Sequence, residues 1–330
     1  RTLTVIQNAV AMARKKDPSL DMETIDYNDQ DVLNYIGTGK TDGIFQLESA
    51  GMKNFMKELK PHSLEDIIAG ISLYRPGPMD FIPQYIRGKN DPSSITYDCP
   101  QLEPILKPTY GCIVYQEQVM QIVRDLGGYT LGRSDLLRRA MSKKKGDVMK
   151  KERQIFVYGD DEAGVPGCVR NGIDEKTANK IYDEMIDFAK YAFNKSHAAA
   201  YAVVAYQTAW LKYYYPVEFM AALMTSVIEN PSKVAEYIYA CRQMNIRILQ
   251  PDINKGEADF SVDDGNIRYG LAAIKSIGKP VIHAIVEERE AYGPYRNLED
   301  FITRLAPKDV LNKRAIENFI KSGALDTLGG

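Results

Sequence analysis

The spacing of hydrophobic residues predicts a chain built mainly from α-helices. Apolar side chains recur about every third or fourth position over much of the chain, as at Leu3, Ile6 and Val10, which is the period of one helix face. Residues 198–214 are almost wholly apolar or aromatic, a pattern typical of a buried helix. From Ile246 onward the pattern changes to short runs of β-prone residues.

Capping residues and prolines predict where several helices begin and end. Ser63 and Asp174 are typical N-caps, and Pro216 and Pro231 suit the first position of a helix. The Gly-Gly pair at 127–128 predicts a helix end, because glycine readily adopts the left-handed conformation that closes many helices.

The segment 259–271 predicts a β-hairpin, because an Asp-Gly pair at 264–265 separates two short β-prone runs. Two later segments, 274–291 and 311–328, each resemble part of a helix-hairpin-helix unit. The predicted architecture is therefore mainly α: a multi-helix domain followed by a small β-hairpin and a tandem helix-hairpin-helix region.

One stretch of this near-neutral chain is strongly basic. Residues 127–153, the basic stretch, hold nine Lys/Arg and three Asp/Glu in a chain of formal net charge −2. A helix capped by Ser134 would carry Arg138 and Arg139 on its second turn, with three lysines at or beyond its end. Arginine offers a planar fork to phosphate oxygens and lysine a mobile charge, which suits a triphosphate. A solvated cationic helix is the alternative interpretation.

A second basic segment, Asn194-Lys-Ser-His197, precedes the most apolar helix, which is predicted to begin at Ala198. The N–H groups of a helix start, together with the side chains of Lys195 and His197, suit an anion. The alternative is simple capping by Asn194 or Ser196.

Four further residues are candidates for contact with a ligand. Tyr110, Tyr115 and Gln116 precede or open a predicted helix over 116–126, where an aromatic face could stack on a base. Packing in the core is the alternative for each tyrosine. The prolines of Arg75-Pro-Gly-Pro78 could present Arg75 rigidly to a ligand, or could form a plain turn.

The helix-hairpin-helix segments hold candidates for contact with DNA phosphates. Lys275, Gly278 and Lys279 belong to the first segment, where a glycine would let backbone N–H groups approach a phosphate closely. Lys313 and Arg314 are the candidates in the second segment, whose glycine pattern is weaker.

Other classes of site find little support in the sequence. The four cysteines include no CxxC pair and the three histidines are far apart, so disulfides and zinc are not predicted. No acidic triad stands in a β framework, so we expect no metal bound by this chain alone. No apolar run approaches the length of a bilayer span. The start at Arg1 and the Gly-Gly end suggest a piece of a longer chain.

Six motifs follow one another along the chain. They read TDGIFQLES at 41–49, YRPGPM at 74–79, PTYG at 108–111, VYQEQVM at 114–120, LRRAMSKKK at 137–145 and FNKSHAAAY at 193–201. In this order they resemble the alpha subunits of bacterial DNA polymerase III, the C family of replicative DNA polymerases, over essentially the whole chain.

The resemblance implies a division of the chain by function. Residues 1–25 would be a palm-to-fingers connecting helix and linker, 26–258 the fingers domain, and 259–330 the β-hairpin with the helix-hairpin-helix DNA-binding region. The palm, with its metal-binding aspartates, would lie outside this chain, so the piece by itself is expected to be inactive.

The resemblance also implies roles for individual residues. The paired arginines and the lysines after them would contact the incoming triphosphate, and the NKSH segment would line the nucleotide pocket. Together with Arg75, the nucleotide-binding candidates are Arg138, Arg139, Lys143, Lys144, Lys145, Lys195, His197, Tyr110, Tyr115 and Gln116. The family often has Gly in place of Ser142 and Ser in place of Ala198, and neither difference changes the charge.

The implied function is that of the nucleotide- and template-binding fingers of a DNA-directed DNA polymerase, a nucleotidyltransferase of chromosomal replication in the bacterial cytoplasm. The implied partners are a DNA primer–template, deoxynucleoside triphosphates, the remaining polymerase domains and replisome subunits such as the sliding clamp through regions outside this chain, with no membrane. Mg²⁺ is implied for the parent polymerase, and no cofactor for this chain alone. The alternative hypothesis is a non-catalytic DNA-binding module that contacts phosphates through the hairpins and the basic stretch.

Overall fold

The computed structural model describes residues 1–143 and 146–329, and it confirms the mainly α architecture. In chain order the helices are α1 (Thr2–Ala13), α2 (Gln30–Gly37), α3 (Ala50–Leu59), α4 (Leu64–Leu73), α5 (Ile82–Asn90), α6 (Glu103–Leu106), α7 (Gln116–Gly127), α8 (Leu131–Ser142), α9 (Gly146–Tyr158), α10 (Glu175–Ala189), α11 (Lys195–Tyr214), α12 (Pro216–Ser226), α13 (Pro231–Gln243), α14 (Lys279–Tyr292), α15 (Leu298–Leu305) and α16 (Lys313–Ser322).

A small sheet precedes the last three helices. Its strands are β1 (Ile248–Leu249), β2 (Ser261–Asp263) and β3 (Asn266–Arg268), in the order β1-β3-β2. Strands β2 and β3 pair antiparallel, and β1 pairs parallel with β3. The turn between β2 and β3 has Asp264 at φ +49° and Gly265 at φ +77°, the two left-handed residues of a tight hairpin turn. The predicted hairpin is confirmed.

Most of the predicted helix boundaries are confirmed as well. The Ser63 hydroxyl accepts from the N–H of Asp66 at 3.4 Å, and the Asp174 carboxylate accepts from the N–H of Thr177 at 3.2 Å. Pro216 and Pro231 open α12 and α13. Helix α7 ends at a left-handed Gly128. Each of these boundaries depends on interactions within a few residues, which is why local sequence predicts them.

The chain divides into two compact units, which are described separately. The first unit comprises residues 1–26, 41–48 and the chain from 204 onward, and the second comprises residues 27–40 and 49–203. In the first unit, α1 packs on α12, and a further core joins α14, α15 and α16. Arg289 of α14 is buried and donates to the carbonyls of Ile253 and Gly256, which ties that helix to the preceding loop.

The core of the second unit holds α7, α8, α9 and α10 together. The predicted apolar face of α7 is buried through Val119, Ile122, Val123 and Leu126, each no more than 1% exposed. The other helices contribute buried side chains to the same core, among them Leu137 and Met141 of α8, Phe156 of α9, and Ile181 and Tyr182 of α10. This packing fixes the positions of α7 and α8, which carry the candidate site.

A half-buried pair of carboxyl groups, Asp98 and Glu184, lies beside Lys180 in the second unit. Burial, followed by the hydrogen bond with Asp98, raises the pKa of Glu184 to about 7, from an ordinary value of 4.5. The folded state therefore retains a proton that the unfolded chain loses at lower pH. The contribution of this group to the free energy of unfolding should fall as the pH rises from about 4.5 to about 7.

We expect Glu184→Gln to remove most of this decline. The variant should raise the free energy of unfolding at about pH 8 by about 1 kcal/mol, because a neutral amide avoids placing a second negative charge beside Asp98. Urea denaturation at about pH 5 and pH 8 measures the change. Asp187→Asn, which replaces an exposed carboxylate on the same helix, should leave the pH dependence as it is. A Glu184→Gln variant with the original pH dependence would show that Glu184 titrates normally.

Candidate functional site

Helix α8 carries the paired arginines, and it begins earlier than predicted. Its N-cap is Thr130, whose hydroxyl accepts from the N–H of Arg133 at 3.2 Å. The predicted cap at Ser134 is wrong, because this side chain is 1% exposed and its hydroxyl donates to the Leu131 carbonyl at 2.7 Å. The earlier start places Arg138 in about the third turn of the helix rather than the second.

Asp135 binds both arginines of the pair. Its Oδ1 accepts from Nη2 of Arg138 at 2.8 Å and from Nε at 3.2 Å, and its Oδ2 lies 2.9 Å from Nη2 of Arg139. The side chain of Arg139 is 62% exposed, whereas that of Arg138 is 22% exposed. The hydrogen bond from Arg138 and the nearby positive charges lower the pKa of Asp135. The two guanidinium groups are therefore held in a fixed arrangement, and the Asp135 carboxylate partly neutralises their charge.

Gln116 connects Arg138 to the backbone that directly precedes the second basic segment. Its Oε1 accepts from Nη1 of Arg138 at 3.1 Å, and its Nε2 donates to the Ala192 carbonyl at 3.3 Å. The backbone N–H of Gln116 also donates to the Phe193 carbonyl at 3.0 Å, and Tyr115 forms a parallel bridge with Phe193. Two stretches far apart in the sequence thus meet at the start of α7.

Helix α11 also begins earlier than predicted, at Lys195 rather than Ala198. Lys195, Ser196 and His197 therefore form its first turn instead of a preceding loop. Asn194 is the capping side chain, since its Oδ1 accepts from the N–H of His197 at 3.0 Å. This result selects Asn194 from the two caps that the sequence left open.

Two carboxylates and an aromatic ring surround Lys195. Its backbone N–H donates to Oε2 of Glu117 at 2.7 Å, and its Nζ lies 3.5 Å from Oε2 of Glu65. The ammonium also stands 5.4 Å from the ring centroid of Tyr115, within the range of a cation–π contact. Tyr115 is only 2% exposed, so its ring lies beneath the lysine. Burial raises the pKa of the Tyr115 hydroxyl, which therefore stays protonated.

Arg75 packs against Tyr191 and Phe193, which lie just before Lys195 in the chain. Its guanidinium carbon stands 4.7 Å from the ring centroid of Phe193, and the side chain donates to the carbonyls of Ser72, at 3.1 Å, and Tyr191. Burial lowers the pKa of Arg75. The Gly77 that follows has φ +97°, and a Cβ there would meet the ring of Tyr191 at 2.5 Å. The rigid turn thus binds Arg75 to the 191–193 backbone.

Two further nucleotide candidates are His197 and Tyr110. His197 is exposed, with its ring 5.7 Å from that of Phe193 and 4.6 Å from that of Tyr201. Tyr110 is half-buried, and its hydroxyl donates to Oδ1 of the buried Asp66 at 3.4 Å. Burial raises the pKa of Tyr110 to about 12. Tyr110 is thus held by Asp66, whereas His197 stands at the start of α11.

Three lysines, Lys143 to Lys145, follow the arginine pair in the sequence. Lys143 is the exposed C-cap of α8, and its backbone N–H donates to the Arg139 carbonyl at 3.1 Å. Lys144 and Lys145 lie outside the described residues. Their predicted role in nucleotide binding stays a prediction.

Gln118 is a positioning residue that the sequence analysis missed. It is 8% exposed, and its Oε1 accepts from the backbone N–H groups of Val114 at 2.8 Å and Tyr115 at 3.0 Å. Its Nε2 donates to Oγ1 of Thr109 at 2.8 Å. Gln118 occupies the glutamine position of a capping box, but the N-cap is Tyr115 rather than a serine or threonine, so the sequence carries no clear signal for it.

The five DNA-binding candidates lie in the first unit. Arg314 Nη2 donates to Oγ of Ser276 at 3.2 Å, so the two hairpin segments contact each other. The candidates are all exposed: Lys275, Gly278, Lys279, Lys313 and Arg314. Lys275 also lines a cavity of about 470 Å³ with Lys321. The first hairpin differs from a full helix pair, because only a 3₁₀ turn, Leu271–Ala273, precedes its loop.

Gly278 is not required by the fold of this segment. Its φ is −82°, which any residue can adopt, and a Cβ there would meet only the Cδ of Pro280 at an ordinary 3.5 Å. Neither backbone strain nor internal packing therefore explains a glycine at this position. An external group that approaches the backbone closely would explain it.

Across residues 1–143 and 146–329, no three His, Cys, Asp or Glu side chains are grouped as metal ligands. The carboxylates of Asp135, Glu65 and Glu117 all contact a cation or a backbone N–H. The candidate site is therefore a cationic site in which carboxylates serve as counter-charges.

Within the described part of the chain, no helix combines the length and the apolar character that crossing a bilayer requires.

Comparisons with known proteins identify similar sequences along the whole chain. Residues 2–164 match a family described as the bacterial DNA polymerase III alpha subunit finger domain, and residues 245–330 match the helix-hairpin-helix motif. The chain is 47% identical over 335 residues to the DNA polymerase III subunit alpha of Thermus aquaticus, a match that covers 100% of this chain and 27% of the relative.

Two other relatives show the same relation. The subunit of the same name from Borreliella burgdorferi is 45% identical over 99% of this chain and 28% of its own length. That of Escherichia coli strain K12 is 46% identical over 100% of this chain and 29% of its own length. The chain thus spans between a quarter and a third of the length of the curated relatives that it matches.

Proposed function

Because the chain belongs to the family of bacterial DNA polymerase III alpha subunits, we propose that it supplies the fingers that bind the incoming deoxynucleotide and the template in a replicative DNA polymerase. One observation carries the proposal: Arg138 bonds to Gln116, and Gln116 bonds to the backbone at 192–193, next to Lys195. We infer that the two basic segments, which lie apart in the sequence, serve one cationic site.

The site suits the phosphates of a nucleotide during nucleotidyl transfer. In that reaction the primer 3′-hydroxyl attacks the α-phosphorus of a deoxynucleoside triphosphate, and pyrophosphate leaves. Catalysis of such transfers rests largely on positioning and on neutralising negative charge at the phosphate oxygens. We assign this task to Arg138, Arg139 and Lys195, with Lys143, Lys144 and Lys145 in support and His197, Tyr110, Tyr115 and Arg75 around the pocket.

Mg²⁺ belongs to the chemistry of this reaction class, but the carboxylates in the described part of the chain are not arranged to hold it. The carboxylates beside the cationic site are bound to arginine, lysine or a backbone N–H, and none of them stands in a group of three ligands within the described residues. We propose, as the family resemblance implies, that the metal ions are held by a palm outside this chain.

We propose that the C-terminal region binds DNA through its phosphates. Its exposed cations lie on two hairpin segments in contact, and Gly278 leaves room for a phosphate beside the backbone. The proposed division into a connecting helix and linker (1–25), a fingers domain (26–258) and the DNA-binding region (259–330) does not follow the two compact units. Replisome subunits such as the sliding clamp would bind regions outside this chain, and the reaction on chromosomal DNA would take place in the bacterial cytoplasm.

Hydrogen exchange can test the proposed role of α8. In the full-length polymerase bound to primer–template, addition of the next correct deoxynucleotide should slow amide exchange over residues 131–143, because contacts with the ligand disfavour local opening of the arginine-bearing helix. A DNA-binding module without nucleotide contacts would instead show this protection on addition of DNA alone. Absence of any nucleotide-dependent protection would contradict the proposal.

The DNA-binding proposal predicts a salt-dependent effect of single lysines. Lys279→Ala or Lys313→Ala in the full-length polymerase should weaken primer–template binding about threefold and reduce the slope of log K against log salt by about 1, because one phosphate contact is lost. Titration of fluorescent DNA at several salt concentrations measures both. Lys233→Ala, which removes a lysine paired with Glu236 on α13, should change neither. If the salt slope is unchanged in both Lys279→Ala and Lys313→Ala, these lysines do not contact DNA phosphates.

A further inference from the structure

Asp135 makes the contacts to the arginine pair that a phosphate would make. One of its oxygens accepts from two nitrogens of Arg138, at 2.8 and 3.2 Å, and the other lies 2.9 Å from a nitrogen of Arg139. A phosphate presents oxygens to the same fork of donors and in a similar plane. In this structure the two guanidiniums are therefore drawn together by a carboxylate from their own helix.

The spacing along α8 makes this contact local. Asp135 stands three residues before Arg138 and four before Arg139, the two separations at which helix side chains meet. Asp135 therefore keeps its position relative to the two arginines in any orientation of the helix. An incoming nucleotide meets Arg138 and Arg139 while both are bound to Asp135. Three different nitrogens of Arg138 are engaged, two by Asp135 and one by Gln116.

Glu65 has a related position beside Lys195, but its contact is weaker. The distance is 3.5 Å, and both side chains are at least 40% exposed. The Asp135 carboxylate is 31% exposed and makes shorter contacts to two cations. Asp135 is therefore the carboxylate with the larger expected influence on phosphate binding.

We infer that Asp135 is an internal competitor for phosphate, which holds Arg138 and Arg139 in place and must give up at least one of them when the triphosphate binds. The inference rests on the proposed function, since it assumes that the pair binds the triphosphate. Asp135 weakens nucleotide binding in this scheme. The enzyme therefore releases a ligand whose phosphates do not make all their contacts with the cationic side chains. Asp135 is a positioning residue in this scheme, because it acts through the arginines.

The test is Asp135→Asn in the full-length polymerase, with steady-state kinetics of deoxynucleotide incorporation. The amide keeps the shape of the side chain and removes its charge. Exposed ion pairs on a helix contribute modestly, and two of them are lost, so the KM for the deoxynucleotide should fall about fivefold while kcat changes less than about twofold. The Ki of inorganic tripolyphosphate, at fixed free Mg²⁺, should fall by a similar factor, because this probe carries phosphates without base or sugar.

Two control variants separate the outcomes. Asp125→Asn removes a carboxylate whose recorded partner is Gln121 on α7, and it should leave both constants unchanged. Asp135→Glu restores the charge and should return the KM towards its original value. A rise in KM in Asp135→Asn would show that Asp135 only orients the arginines, and that result would overturn the inference.

Arg138→Ala in the same assay distinguishes this inference from the proposed function. If Arg138→Ala weakens tripolyphosphate inhibition while Asp135→Asn does not strengthen it, the arginine binds phosphate and only the competitor role fails. If neither variant changes tripolyphosphate inhibition, the proposed nucleotide site itself fails.

Discussion

Replacing Arg138 with alanine in the full-length polymerase is expected to lower kcat/KM for the incoming deoxynucleotide by roughly 100-fold, whereas the Kd for primer–template DNA should change less than about twofold. The physical reason is the loss of a charged, forked donor from a partly buried position, where water replaces it poorly. Arg138 is 22% exposed and is fixed by Gln116 and Asp135, so its geometry is set before the ligand binds. Single-nucleotide incorporation kinetics and a DNA titration on the same preparation measure the two effects.

A second arginine in the same unit offers a matched control. Arg170 is 55% exposed and pairs with Asp161, and Arg170→Ala should leave both incorporation and DNA affinity within about twofold. An equal loss of nucleotide use and DNA binding in Arg138→Ala would assign this arginine to the DNA instead. Full activity of Arg138→Ala would show that Arg138 does not take part in nucleotide binding.

Replacing Gln118 with alanine is expected to lower the free energy of unfolding of the chain by about 3 kcal/mol. The change leaves the backbone N–H groups of Val114 and Tyr115 without their buried acceptor, and each unsatisfied group costs about 1–3 kcal/mol. Urea denaturation followed by circular dichroism measures the loss. Because these two residues lead directly into Gln116, the variant should also weaken the connection between α7 and the 192–193 backbone.

The neighbouring Gln121 supplies the control for Gln118. It lies one turn later on α7, and its side chain donates to Asp125 at the surface. Gln121→Ala should change the free energy of unfolding by less than about 0.5 kcal/mol, since both groups can bond to water instead. A similar loss in the two variants would mean that helix propensity, and not the buried hydrogen bonds, accounts for the effect at position 118.

The arginines of the basic stretch differ in their carboxylate partners, and this difference bears on the proposed phosphate site. The charges of the basic stretch are not all available, because Asp135 binds Arg138 and Arg139 and Glu152 binds Arg133 at 2.6 Å. Tyr129 also donates to the same Glu152, at 2.9 Å, within the core. Arg133 therefore stabilises the fold, because its carboxylate partner is buried. The arginine pair is bound to the more exposed Asp135, and under the proposed function a phosphate can take the place of that carboxylate.

The sequence by itself determined those features that depend on neighbours within a few residues. The hairpin turn at Asp264 and Gly265, the caps at Ser63 and Asp174 and the left-handed end at Gly128 follow from backbone preferences and short-range hydrogen bonds. The contact of Asp135 with the arginine pair was also within reach, because helix side chains three and four residues apart meet.

The tertiary structure alone decided which of the possible local choices were used. Two caps four residues apart, Thr130 and Ser134, were both acceptable locally, and the burial of Ser134 selected the first. Tyr115 could have faced a ligand or the core, and packing placed it beneath Lys195. The meeting of Gln116 with the Phe193 backbone joins residues distant in the chain. Sequence periodicity specifies that a face is buried but does not specify its partner, and so only the folded core could place the two basic segments together.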